Sequence, residues 1–180
     1  IIVVMLNMQR KILITGANGF IGSNIISELM ANNSPVIAMT REKSNIDYLK
    51  SIKCYNIIQT ENYLDPIVIR KLGMSKPEYI VHCAWANNQL EDTKNLINIL
   101  ELAKNINCKG FITIGSFEEY GVLKHNLSED TICVPENSYS RSKQAFYMLT
   151  KEICSGLDIK YIHLRLGIPY SNKKDNNFYF

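Results

Sequence analysis

No stretch of this 180-residue sequence holds the roughly 18 consecutive apolar residues that a membrane-spanning helix needs, so no membrane partner is expected. Charge of one sign is not in excess. The 20 Lys and Arg against 17 Asp and Glu leave +3 with His neutral, too little to point to a nucleic-acid partner. No two of the five cysteines form a C-x-x-C motif, and His82, His125 and His163 are scattered, so no metal site is read from the sequence. An odd number of cysteines, with Cys83 and Cys108 in or beside apolar runs, suits free thiols in a reducing, cytoplasmic setting. Low-complexity tracts and collagen-like repeats are missing too. At 46% hydrophobic residues the chain is too apolar for intrinsic disorder. What these absences leave is one domain with a real core.

The ends differ from the middle. Ile1–Leu6 is apolar but short, with no basic residue before it, which makes a poor signal peptide. Met8 stands just ahead of the first predicted strand. Residues 1–7 are therefore read as an extension the fold does not need, 8–170 as the folded domain, and 171–180 as a polar, Asn/Lys-rich tail where the chain is cut short.

Between the ends, short apolar runs alternate with helix-compatible stretches. Strands are predicted at Lys11–Thr15, Pro35–Met39, Cys54–Ile58, Tyr79–Cys83, Gly110–Ile114 and Ile159–Leu166. Helices are predicted at Phe20–Asn32, Ser44–Ser51, Asp65–Leu72, Leu90–Asn107 and Tyr139–Ser155. Strands that are apolar throughout are covered on both faces, as in a parallel sheet with helices on each side. The fold class is α/β, a doubly wound, Rossmann-type parallel sheet of about six strands. The longest stretch without predicted structure, Ser116–Ser138, is long enough to be functional.

The first strand runs into Thr15-Gly16-Ala17-Asn18-Gly19-Phe20-Ile21-Gly22. Gly16 permits a tight turn, Gly19 lets backbone approach a pyrophosphate, and Gly22 lets the following helix pack closely on the sheet. Phosphates would then face the free N–H groups at the helix N-terminus. The spacing is G-x-x-G-x-x-G rather than G-x-G-x-x-G, and glycines so spaced can also serve a turn and packing alone. Arg41, at the end of the second strand, suits the extra phosphate of NADP and leans the NAD(P) cofactor that way; an acid there would suit NAD. Asn62, after the third strand, fits either an adenine edge or an ordinary turn.

Tyr139 and Lys143 lie four apart on a predicted helix, hence on one face. A tyrosine serves as acid/base when its pKa falls from about 10, and a neighbouring ammonium pulls it down. Ser116 stands just past the fifth strand, at the carboxyl edge where such sheets bind ligands, and can orient a substrate oxygen. Y-x-x-x-K alone is a weak motif, and a serine there also reads as a cap; their joint occurrence after the glycine turn is the stronger signal.

The segments TGANGFIG (15–22), IVHCAW (80–85), ITIGSFEEYG (112–121), P-x-x-x-Y-x-x-x-K (135–143) and LRLGIPY (164–170) resemble the extended short-chain dehydrogenase/reductase family, the NAD-dependent epimerase/dehydratase group acting on nucleotide sugars. The resemblance implies hydride transfer between nicotinamide and a sugar carbon. Tyr139 would be the acid/base, Lys143 its pKa partner and ribose anchor, and Ser116 the partner of the substrate oxygen. It places Asn18, Phe20, Ile21 and Ala84 with the glycines along the cofactor, and implies a homodimer through helices 90–107 and 139–155. Family members continue into a C-terminal lobe that grips the substrate, and that lobe is missing from this sequence.

Departures are visible as well. Asn62 stands where the family often has Asp, and Trp85-Ala86-Asn87-Asn88 replaces a small-residue stretch. Glu118 can supply a carboxylate to abstract a proton next to a ketone, but Phe117 occupies a position where many dehydratases carry an acid. Glu118 and Glu119 also read as solvated surface carboxylates. Two functions fit these residues, an NAD(P)-dependent nucleotide-sugar epimerase, dehydratase or reductase, or a dinucleotide-binding module without turnover; a third, a flavin or nucleotide binder that shares only the fold, leaves the Tyr139–Lys143 pair unexplained.

Overall fold

Each strand of the sheet sends apolar side chains both ways, and that decides the architecture. In β1 (Ile12–Thr15), Leu13 points to one face and Ile12 and Ile14 to the other, all of them buried. The computed structural model describes residues 10–86, 88–122 and 126–170. The expected extension 1–7 and tail 171–180 lie outside the described residues, as do His125 and Asn87.

From β1 the chain passes through α1 (Phe20–Ala31), β2 (Val36–Thr40), α2 (Asp47–Ser51), β3 (Ile57–Gln59) and α3 (Pro66–Ser75). It continues through β4 (Tyr79–His82), α4 (Gln89–Asn105), β5 (Gly110–Ser116), α5 (Ser138–Gly156) and β6 (Lys160–Leu166). All pairings are parallel, in the order β3-β2-β1-β4-β5-β6. This is the expected doubly wound sheet. Ile26 and Leu29 of α1 and Leu49 of α2 fill one face against Ile12, Ile14 and Ala38. Leu72 of α3, Ile99 and Leu100 of α4 and Cys154 of α5 fill the other against Leu13, Ile37, Ile80 and Phe111. The order reverses between β1 and β4, and a crevice opens there at the carboxyl ends of the strands.

Local signals explain the boundaries. Pro66 begins α3 directly after Asp65, whose carboxylate accepts the Ile67 N–H, and Lys76 ends it in the left-handed region. Asn137 caps α5 by accepting the Ser140 N–H, while the Ser140 hydroxyl accepts the Asn137 N–H. The third strand differs from expectation. It starts at Ile57 rather than Cys54, because Lys53 turns left-handed (φ 62°) and the Cys54 N–H bonds back to Leu49, which spends Cys54 on closing α2. The fifth strand runs two residues further than expected, to Ser116, and a 3-10 turn at Phe117–Tyr120 occupies the start of the expected loop. Among the described residues, no helix is long and apolar enough to cross a membrane, and all five cysteines are unpaired.

Candidate active site

Among the described residues, two cavities lie in the crevice. One, of about 370 Å³, is lined by Gly16, Asn18 and Gly19, by Arg41 after β2, and by Glu61 and Tyr63 after β3. The other, of about 350 Å³, is lined by Ser116 at the end of β5, by Glu118 in the 3-10 turn after it, by Tyr139 and Lys143 of α5, and by Ile21. Cys83, Ala84 and Trp85 line both, so the end of β4 is their common wall.

Backbone geometry explains the glycine turn. Gly16 is left-handed (φ 63°), and a Cβ there would stand 2.7 Å from the Ala84 nitrogen and the Cys83 carbonyl carbon. The turn and the end of β4 therefore meet backbone to backbone. A Cβ on Gly22 would come within 2.3 Å of the Gly16 oxygen, so α1 could not sit so close to the turn with any larger residue. Gly19 precedes α1 in extended conformation and offers no side-chain cap, leaving the helix N-terminus facing the first cavity with backbone alone. Phe20 lines neither cavity; its carbonyl accepts from Ser23 and Asn24.

Arg41 stays on the cavity wall, but the Glu61 carboxylate shares that wall and accepts the Glu42 N–H at 3.2 Å. Asn62 is turned away into an Asx turn, its side-chain oxygen accepting the Leu64 N–H at 2.9 Å; its neighbours Glu61 and Tyr63 line the cavity instead. The Tyr63 phenol is pushed up to about 12 by burial and by Glu61, against the pull of Arg41.

At the second cavity the structure brings Ser116, Glu118, Tyr139 and Lys143 together. The Ser116 hydroxyl accepts the Glu118 N–H at 3.2 Å. Lys143 is buried and donates to the Ile114 carbonyl at 3.1 Å, with its Nζ 3.6 Å from the centroid of the Trp85 ring. Burial pulls the Lys143 ammonium down to about 8, against Glu119, Asp92 and Cys83. The phenol departs from expectation. Tyr139 is raised, not lowered: burial dominates, Glu118 and Glu119 add to it, and a hydrogen bond with Ser116 only partly opposes. The ammonium is directed at Ile114 and Trp85 rather than at the phenol, so in the protein alone Tyr139 keeps its proton at neutral pH.

Several contributors escaped the sequence reading. Glu119 is no surface carboxylate. It is fully buried and accepts from the Ser116 N–H at 2.7 Å, from His163 Nε2 at 3.0 Å and from Arg165 Nε at 3.1 Å. His163 in turn bonds Thr113 at 2.7 Å, so one network fastens Ser116 to β6. Two signals marked it: Ser116 and Glu119 at capping-box spacing, and His163 and Arg165 two apart on a strand, hence on one face. Asp92, buried in the first turn of α4, accepts the Ala86 and Asn88 N–H groups and holds the loop that carries Trp85. His82 is buried, 2.7 Å from the Thr15 hydroxyl; burial, then Lys143, pulls it down to about 4 and keeps it neutral. Glu118 accepts from the Asn137 amide at 2.9 Å, which ties the 3-10 turn to the start of α5. Among the described residues, no group of three His, Cys, Asp or Glu side chains is placed to hold a metal ion.

Comparison with known proteins gives this geometry its family. The model of the NAD dependent epimerase/dehydratase family matches residues 12–179. The chain belongs to the NAD-dependent epimerase/dehydratase family. A family relative, the dTDP-D-glucose 4,6-dehydratase of Dictyostelium discoideum, is 26% identical over 199 residues, spanning 92% of this chain and 45% of its own. Two solved structures share the fold. The UDP-glucose 4-epimerase of Thermotoga maritima with UDP-glucose has a TM-score of 0.72 at 23% identity, over 86% of this chain and 54% of that one. The dTDP-glucose 4,6-dehydratase of Bacillus anthracis in complex with NAD has a TM-score of 0.71 at 23% identity, over 87% and 54%. The chain thus spans about half the length of these relatives. Its own residues suit the family's dinucleotide. A glycine cradle stands before a helix N-terminus without a side-chain cap, and the buried Trp85 indole N–H has no acceptor among the described residues, on the wall common to both cavities.

Proposed function

We propose that this chain is the cofactor-binding and catalytic half of an NAD(P)-dependent nucleotide-sugar enzyme that transfers a hydride at a sugar carbon, with Tyr139 as general acid/base. The observation carrying this reading is that Ser116, Tyr139 and Lys143 line a cavity sharing its β4 wall with the cavity of the glycine turn. When bound, an oxidised nicotinamide supplies the hydride acceptor and a positive charge that favours the phenolate. The backbone of Gly16 and Gly19 and the N-terminus of α1 hold the diphosphate. Lys143 anchors ribose hydroxyls, Ser116 orients the substrate oxygen, and Tyr139 gives its proton to that oxygen during reduction or takes it during oxidation. A phenol raised from its ordinary value keeps its proton at neutral pH and is ready for the reducing direction.

Epimerisation or reduction fits better than dehydration, which needs an acid and a base beside the carbon that loses water. Of the carboxylates lining the second cavity, Asp92 is committed to two backbone N–H groups and Glu118 accepts from Asn137, while Phe117 is no acid. Arg41 favours NADP and Glu61 on the same wall opposes its extra phosphate, so either dinucleotide is a candidate. We further propose a cytoplasmic homodimer through α4 and α5, whose exposed Ile97, Met148 and Leu149 supply apolar surface. The domain proposal keeps 8–170 as the folded unit.

The test is Tyr139→Phe in the whole protein. Turnover of a nucleotide sugar is expected to fall at least ~10²-fold, the low end of general acid/base contributions. Binding of NAD and NADP, followed by calorimetry, is expected to change less than about threefold. Unchanged turnover would reject the acid/base role. Dinucleotide binding without turnover by the whole wild-type protein would favour the binding-module reading.

A further inference from the structure

Lys143 has an unusual set of partners for a buried ammonium. Among the described residues it forms no ion pair, and its one hydrogen bond goes to the Ile114 carbonyl. Its other near neighbour is the face of Trp85, 3.6 Å from Nζ to the ring centroid. That is well inside the roughly 6 Å within which an aromatic face attracts a cation, and the attraction grows where water is excluded.

The ring is itself fixed from several sides. Phe146 packs edge-on at 5.0 Å and Tyr139 at 6.4 Å with the rings perpendicular. Behind it, Asp92 holds the Ala86 N–H at 2.7 Å and the Asn88 N–H at 3.1 Å, pinning the loop that delivers Trp85. The chain of support runs from the first turn of α4, through the loop, to the indole and then to the amine.

We infer that Trp85 is a positioning residue for Lys143, clamping its ammonium between the indole face and the Ile114 carbonyl, one turn of helix from Tyr139. The inference rests on the proposed role of the Tyr139–Lys143 pair for its meaning, but not for its test. The groups facing Lys143 are Asp92 from α4, His82 and Cys83 at the end of β4, Glu119 from the 3-10 turn and Tyr139 on its own helix. Asp92 and Glu119 favour the ammonium from a distance, and burial opposes it. The aromatic face is the near contact that a substitution can remove without touching a charge.

The experiment measures acetylation of Lys143 by acetic anhydride against pH, read residue by residue by mass spectrometry. It compares the wild-type chain with Trp85→Phe and Trp85→Leu. The wild-type midpoint is expected near pH 8. Trp85→Leu, which removes the aromatic face, is expected to move it down by about one pH unit, a tenfold change in the protonation equilibrium. Trp85→Phe, which keeps a face, should recover at least half of that shift. A midpoint unmoved in Trp85→Leu would overturn the inference. Should the leucine variant fail to fold, the wild-type chain still decides. Trp85 is the only tryptophan, so its emission should follow the same titration and lose it in Lys143→Met. Emission that ignores Lys143 would overturn the inference as well. Neither measurement uses a dinucleotide, so failure of the proposed function, seen as absent NAD and NADP binding, is a separate result.

Discussion

Removing the Glu119 carboxylate tests whether the floor of the cavity is held as described. In Glu119→Ala, three donors lose their acceptor: the Ser116 N–H, His163 Nε2 and the Arg165 guanidinium. Arg165 is partly exposed and regains water, and His163 keeps its bond to Thr113. The Ser116 N–H and His163 Nε2 remain in a site where Glu119 is wholly buried, each costing ~1–3 kcal/mol when unsatisfied. The two sum to about 2–6 kcal/mol, and the ~3–5 kcal/mol for breaking a buried ion pair from one side lies within that span and is taken as the expected loss. Against a domain stability of ~5–15 kcal/mol this is a large loss, worth roughly 6–20 °C in Tm for a chain of this size. Urea unfolding followed by circular dichroism at pH 7 measures it, and Glu119→Gln, which still accepts the Ser116 N–H, should lose less. The pH dependence has a definite sign. Burial raises the Glu119 carboxyl, but hydrogen bonds from His163, Ser116 and Arg165 outweigh it and hold the group below its usual value. Its contribution is therefore complete above the unfolded value of about 4.3 and lost as pH falls through the lower folded value. The gap between wild type and Glu119→Ala must narrow in acid. A difference under about 1 kcal/mol at pH 7 would refute the network.

Two further substitutions probe the crevice. Gly16→Ala places a methyl 2.7 Å from the Cys83–Ala84 backbone at a left-handed φ, so stability should fall by ~2 kcal/mol or more and NAD affinity at least ~10-fold; equal urea midpoints and equal calorimetric affinities would show that the turn yields freely. His82, with a folded value of about 4 against about 6.5 unfolded, favours the neutral ring, so its contribution is full above pH 6.5 and drains away as pH falls toward 4, at up to ~1.4 kcal/mol per pH unit. His82→Gln should flatten the stability profile in that window, and a profile with the wild-type slope would mean that another group carries it.

The sheet was legible because its strands are apolar on both faces and its turns carry glycine where backbones must meet. The spacing of Gly16 and Gly22 gains meaning from the strand before and the helix after them, where backbone must approach backbone. The third strand was misplaced because an apolar run does not reveal which residue closes the preceding helix, a task that falls to Cys54. Tyr139 and Lys143 were placed on one face from their spacing. The direction of the phenol's shift was not readable, because it depends on burial and on where the ammonium points. Glu119 looked like a surface acid because its partners lie 44 and 46 residues away, on a strand that sequence proximity does not bring near.

The position of β1 between β2 and β4 also governs how the molecule can be made. As the nascent chain leaves the ribosome, β1, α1 and β2 emerge first and can pair, but one flank of β1 stays bare until β4 appears. The Thr15–His82 bond spans 67 residues, and Gly16 meets its backing at Ala84 only when that length has been synthesised. The turn at Gly16 is thus complete only once β4 has been synthesised and has docked beside β1.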